Sequence, residues 1–354
     1  MKVNKKNYST IWLENEKIKI IDQTCLPFKF KTEELKSLND FCIAIKNMKV
    51  RGAPLIGITA ALGFAKSIIK NPNNSNIEIS YSKLLKTRPT AVNLKWALER
   101  IKKEILKLPN DLRGKQAMQL ATSMRLEDIK NCKKIGENGF KIIKKIFKKR
   151  KKTINILTHC NAGWLATVDY GTALSPIFLA KKEKIPLHIW VDETRPRNQG
   201  ALLTSWELKN ENIPHTVIVD NAGGYLMQDG KVDLCIVGSD RTTINGDVCN
   251  KIGTYLKALS AYENNVPFYV ALPTSTIDEN LEDGSLIPIE VRSGNELIEL
   301  TFNKSQKLGK GCIFLKSTKT FNPAFDVTPA KFITKLITEN GICDANINSI
   351  KEII

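Results

Sequence analysis

A chain of 354 residues with 54 lysines and arginines against 36 acidic residues has a formal charge of +18. Its length suits about two domains, and 42% apolar content with 14 prolines and 20 glycines excludes disordered and low-complexity classes. No uninterrupted run of 18 apolar residues occurs and the start, Met1-Lys2-Val3-Asn4-Lys5-Lys6, lacks an apolar signal core, so a cytoplasmic protein with no membrane partner is expected. In chain order, residues 9 to 22 read as two short strands around the polar turn Glu14-Asn15-Glu16. From about 34 to 148 apolar residues recur at helical spacing, which predicts a mainly helical N-terminal domain, 1–148, carrying that β-hairpin. From 149 to 354 short, continuously apolar runs begin near Ile154, Leu187, Thr216, Asp233 and Phe268, with a weaker one at Cys312-Ile313-Phe314-Leu315. Each precedes a polar loop and a helical stretch, and the unalternating Ile, Val and Leu indicate strands covered on both faces. The predicted class is α/β, with a C-terminal doubly wound, parallel, Rossmann-like sheet.

The charge does not make nucleic acid an expected partner. Only ten of the cations are arginine, and the lysines read as solvated helix faces, including the dense run Lys144-Lys145-Ile146-Phe147-Lys148-Lys149-Arg150-Lys151-Lys152. No aromatic-interleaved platform accompanies them. The eight cysteines form no Cys-x-x-Cys pair and the three histidines add no ligand spacing, so no metal site is expected.

In a doubly wound sheet ligands bind beyond the carboxyl ends of the strands. The loops there contain Thr158-His159-Cys160-Asn161, Asp192-Glu193-Thr194-Arg195-Pro196-Arg197-Asn198-Gln199, Asp220-Asn221, Gly238-Ser239-Asp240-Arg241 and Pro273-Thr274-Ser275. They offer a thiol, carboxylates, arginines and amides, without a dinucleotide fingerprint or Walker loop, so no nucleotide cofactor is expected. Cys160 stands where a strand runs into a loop and an expected helix from Leu165, whose amides would lower its pKa; otherwise it is a buried structural cysteine. His159 should face away from it, as a core or supporting residue. Asp240, at the lip of a buried strand, is a candidate acid with a raised pKa, or else a loop cap or partner of Arg241. Asp192 and Glu193 are expected to hold Arg195 or Arg197. Arg51-Gly52-Ala53-Pro54 and Thr87-Arg88-Pro89-Thr90-Ala91-Val92 each open a predicted helix, and an arginine at each suggests a phosphate clamp rather than ordinary helix entries.

These motifs, with Gly246-Asp247-Val248-Cys249-Asn250-Lys251-Ile252-Gly253-Thr254 and Asn322-Pro323-Ala324-Phe325-Asp326, in this order over nearly the whole chain, resemble the S-methyl-5-thioribose-1-phosphate isomerase family. Its members are aldose–ketose isomerases of methionine salvage, related to regulatory subunits of the eukaryotic initiation-factor 2B exchange complex. The resemblance implies that Cys160 and Asp240 are catalytic and that Arg51, Gly52, Ala53, Arg88, Gln199, Asn250 and Lys251 bind a phosphorylated sugar, in a homodimer without cofactor. Trp164 is bulkier than the residue expected there. A phosphorylated anomeric oxygen prevents spontaneous ring opening, so the reaction needs an acid toward the ring oxygen and a group at C1/C2, with the phosphate held still. The alternatives are isomerisation of ribose 1,5-bisphosphate or 5-deoxyribose 1-phosphate, or a noncatalytic regulatory protein. The latter would need neither Cys160 nor Asp240.

Overall fold

The computed structural model of the protein describes residues 1–3, 6–88, 91–304 and 307–354. Pro89 and Thr90 of the second arginine motif lie outside the described residues. After a two-residue ladder of β1 (Lys2–Val3) and β2 (Lys6–Asn7), the expected hairpin is present as β3 (Ile11–Glu14) and β4 (Lys17–Ile21). Asn15 and Glu16 turn it with φ of 48° and 63°, the left-handed pair that a two-residue hairpin loop demands. A third strand, β5 (Thr32–Leu35), joins β4; its sequence Thr-Glu-Glu-Leu buries only Leu35 and gives no alternating apolar signal.

Five helices follow: α1 (Leu38–Lys46), α2 (Ala53–Lys70), α3 (Asn74–Leu85), α4 (Val92–Ile105) and α5 (Asn110–Arg150). A capping box between Ser37 and Asp40 starts α1, and Pro54 sits in the first turn of α2. Among the described residues α2 alone is long and apolar enough to cross a membrane, and it is largely buried between α1, α3, α4 and α5. Its Leu55, Ile58 and Leu62 share one core with Leu94, Leu98, Ala117 and Met124. The 41-residue α5 then continues into a second core through Ile135 and Ile143, against Ile154, Ile156, Ile177 and Ile189.

The second part alternates strands and helices: β6 (Ile154–Thr158), α6 (Ser175–Lys182), β7 (Leu187–Asp192), α7 (Ser205–Asn210), β8 (His215–Ile218), α8 (Ala222–Gln228) and β9 (Leu234–Val237). Two short strands, β10 (Arg241–Thr243) and β11 (Val248–Lys251), lead to α9 (Thr254–Glu263) and β12 (Phe268–Ala271). Beyond β13 (Ile277–Asp278) and α10 (Asn295–Ile298) come the hairpin β14 (Glu299–Lys304) and β15 (Lys307–Cys312), then β16 (Phe325–Thr328), β17 (Lys335–Ile337) and β18 (Ile342–Cys343). The main sheet has the order β18-β17-β12-β9-β6-β7-β8 and is parallel except for β18. Its five predicted strands begin within one residue of the expected positions. The sixth does not: the run at 312–315 leaves the hairpin exposed, with Leu315 75% accessible, and β17 takes the sheet position instead. Strand order reverses between β6 and β9, so the crevice at their carboxyl ends is the topological switch point. A smaller sheet, β13-β10-β11-β16, places β11 beside that crevice.

Candidate active site

Cys160 follows β6 and Asp240 follows β9, so the switch point brings the two together. They line one cavity of about 40 Å³ with Arg51, Gly52, Ala53, Pro54, Asn161 and Asn250. Gly52 has φ +91°, and a Cβ there would lie 2.4 Å from the carbonyl oxygen of Ala166, so only glycine lets the start of α2 close over the loop after β6. Arg51 also lines an adjoining cleft of about 700 Å³, where Gln199 stands with Gln23, Met48 and Leu203. Arg88 and Lys251 line neither space, but their charges act on Asp240. The nine residues singled out thus gather around one centre, six of them on the small cavity.

The loop after β6 departs from expectation. No helix starts at Leu165; a single 3-10 turn, Trp164–Ala166, is followed by irregular chain until α6. The backbone N–H groups of Trp164 and Leu165 are taken by the Glu207 carboxylate, so they are not free to lower a thiol pKa. Burial pushes the Cys160 thiol up, outweighing Arg51 and Lys251, which act in the opposite direction. Cys160 is therefore a thiol at neutral pH, not an activated thiolate. It is held in the left-handed region at φ 63°, and its N–H donates to Thr194 Oγ1 at 2.8 Å. Such a conformation in a non-glycine residue is strained and has to be held by its surroundings.

Burial likewise raises the Asp240 carboxyl, against the pull of Lys251, Arg88 and Arg51. The expected alternative pairing with Arg241 is not formed: Arg241 approaches Asp278 at 3.8 Å, while the Asp240 N–H donates to the carbonyl of Cys249. Lys251 is buried, its Nζ donates to the carbonyl of Ala324 at 2.8 Å, and desolvation lowers its pKa. Asn250 Nδ2 donates to Thr254 Oγ1. Arg88 is half-buried, its Nε has no partner among the described residues, and its Nη2 lies 3.4 Å from Glu290. Glu290 also meets Arg292 at 3.0 Å, Arg292 pairs with Glu296, and Glu296 with Arg197. Three arginines and two glutamates thus alternate from the approach to α4 to the loop after β7.

His159 was expected to face away from Cys160, yet it lines the same cavity, with both ring nitrogens engaged: Nδ1 meets Asp192 at 2.7 Å and Nε2 meets the carbonyl of Ile252 at 2.8 Å. Asp192 does not hold Arg195 or Arg197. It pairs with His159 and with Lys257 at 3.2 Å, because it points into the sheet interior, whereas Arg197 turns outward to Glu296. His159, Asp192 and Asp220 are spaced closely enough for a metal, but both ring nitrogens are engaged and the Lys257 ammonium already lies against Asp192 and the Asp220 carbonyl. Glu207, Glu290 and Arg292 belong to none of the sequence motifs, and Thr194 stands in one without an expected role. Only Glu207 carried a signal, a charged residue between apolar neighbours Trp206 and Leu208.

The initiation factor 2 subunit family matches residues 49–345. A methylthioribose-1-phosphate isomerase of Sinorhizobium medicae is 51% identical over 357 residues, covering 99% of this chain and 98% of its own. The crystal structure of 5-methylthioribose 1-phosphate isomerase from Pyrococcus horikoshii OT3 superposes with a TM-score of 0.84 at 38% identity, over 98% of this chain and 96% of that one. A structure from A. fulgidus described as translation initiation factor eIF-2B, subunit delta, follows at 0.79 and 34%, over 98% and 100%. The chain belongs to the initiation factor 2 subunit family and, within it, to the methylthioribose-1-phosphate isomerases.

Proposed function

We propose that the protein converts 5-methylthioribose 1-phosphate to 5-methylthioribulose 1-phosphate in methionine salvage, with Cys160 and Asp240 as its catalytic residues. The observation that carries this reading is the buried thiol and the half-buried carboxyl on one cavity, both pushed toward their protonated forms and ringed by Arg51, Arg88 and Lys251. A protonated Asp240 delivers its proton to the ring oxygen as the C1–O bond breaks, and the open sugar keeps its phosphate. Cys160 serves C1 and C2, where the hydrogen on C2 passes to C1 and the C2 hydroxyl becomes the carbonyl, its proton returning to the Asp240 carboxylate. Arg51, Arg88 and Lys251 hold the phosphate with the amides at Gly52 and Ala53, while Asn250 and Gln199 contact the sugar. The 40 Å³ cavity is smaller than this substrate, which therefore extends past Arg51 into the larger cleft.

The change is redox-neutral overall, so the same reading requires no cofactor. It also makes the protein a cytoplasmic homodimer, which light scattering of purified protein would test. The direct test is turnover of three sugar 1-phosphates that differ at C5. Methylthioribose 1-phosphate should be preferred, and preference for ribose 1,5-bisphosphate or 5-deoxyribose 1-phosphate would overturn the assignment. In deuterated water a proton route labels C1 of the product, and a direct hydride shift does not.

A further inference from the structure

Glu207, in α7, does not line the cavity, yet it organises the loop that does. Its Oε1 accepts from Asn161 Nδ2 at 2.8 Å and from the Leu165 N–H at 3.1 Å, and its Oε2 accepts from the Trp164 N–H at 2.9 Å. Asn161 in turn takes Arg51: Nη1 donates to Oδ1 at 2.7 Å and Nη2 to the backbone carbonyl at 2.6 Å. Thr204, one turn before Glu207, accepts from Asn161 Nδ2 at 3.1 Å and donates to the Cys160 carbonyl at 2.7 Å. Any Cβ at position 163 would stand 1.9 Å from Glu207 Oε2, so the loop passes the carboxylate with no room to spare.

Resting on the reading that Arg51 receives the substrate's phosphate, we propose that Glu207 is a positioning residue that holds Arg51 in its receiving orientation through Asn161. An amide side chain turned by 180° would present its NH2 to the guanidinium and repel it. Acceptors at Nδ2 prevent that turn, and Glu207 is the charged one. With Arg51 pinned through two of its five donors, the remaining three stay directed and available to an oxyanion. Arg51 is the charged group acting on Glu207, and burial raises this carboxyl to about 7. Its charge, and with it an acceptor position, is lost as pH falls through that value.

Sulfate is a suitable probe because it stays a dianion across this range, and calorimetry reads its affinity without turnover. Glu207→Gln keeps the shape but must turn a donor toward Trp164 or Asn161. At about pH 8.5 it should weaken sulfate binding, and raise KM for the sugar phosphate, about tenfold, with kcat within about threefold. At about pH 5.5 the difference from wild type should close, since wild-type Glu207 then carries its proton. A general loss of structure would not close it. Should Glu207→Gln fail to fold, Asn161→Ala tests the same link and should weaken sulfate binding at both pH values. Unchanged sulfate affinity and KM in these variants, or a Glu207→Gln deficit equal at both pH values, would overturn the proposal while leaving the isomerase reading intact. A wild-type protein that neither binds sulfate nor turns over the sugar phosphate would overturn both.

Discussion

A thiol and a carboxyl that burial pushes toward their acid forms are suited to giving protons, and this sets what their replacement should do. Cys160→Ser keeps a small hydroxyl but loses a titratable group, and Asp240→Asn keeps the shape but loses the proton. Each should lower kcat by about 100-fold or more, the usual scale for a positioned acid or base, with the thermal midpoint within a few degrees of wild type. A steady-state assay beside a melting curve checks both, and near-normal turnover in either variant would remove that residue from the chemistry. Because Asp240 is raised above the ordinary carboxyl value, the rate should fall as pH climbs through its pKa and the acid form is lost. That Cys160 and Asp240 would meet at one crevice was legible in the sequence, because both stand in loops just after strands of a doubly wound sheet. The thiol's environment was not, since the direction of its pKa depends on where the loop amides go, and they go to Glu207, which lies 43 positions from Trp164.

Between elements, the alternating row Arg88, Glu290, Arg292, Glu296 and Arg197 joins the approach to α4, the segment before α10 and the loop after β7. Glu290 is shared by Arg88 and Arg292, so its charge is divided between them. Arg292→Gln would leave Glu290 to Arg88 alone, where it would compete with the substrate's phosphate. KM should rise several-fold with kcat nearly unchanged, and unfolding by denaturant should show a loss of about 2 kcal/mol as Glu296 is left with Arg197 alone. A KM equal to wild type would show that Glu290 does not compete at Arg88. Arg292 and Arg197 bring Glu296 down to about 2, so the stability this carboxylate supplies is present above its unfolded value of 4.5 and lost as pH falls toward 2. The row as a whole was not legible, because its outer pairs, Arg88–Glu290 and Glu296–Arg197, join residues 202 and 99 positions apart and leave no local pattern. The five parallel strands were legible for the opposite reason: coverage on both faces makes each a contiguous apolar run. The sixth was missed because Lys335-Leu336-Ile337 is too short to stand out, while Ile313 and Leu315 are apolar without being buried.

For the molecule as a whole, the +18 charge divides into exposed lysines and a few buried cations at the site, so its meaning for partners is local. Its meaning for stability is not: protonation at low pH adds to the self-repulsion of an already cationic chain. Asp128 works against that trend. It lies on α5 where the helix passes from one core to the other, and accepts from the Val168 N–H at 2.7 Å, tying the helix to the loop after β6. Burial raises its carboxyl from 3.8 to about 7, helped by Asp169 and Glu339 and opposed by Arg125. A folded-state pKa above the unfolded one means that the contribution to stability is complete below about pH 3.8 and is lost as pH rises through about 7. Across that window the loss is on the order of 4 kcal/mol. Asp128→Asn can keep the acceptor for Val168 and cannot ionise, so it does not incur the loss. Relative to wild type the variant should gain stability by that order between about pH 4 and pH 8, measured by denaturant unfolding at both ends. Comparing the two proteins at each pH cancels the self-repulsion they share, and a difference constant with pH would show that Asp128 is not held protonated in the folded protein.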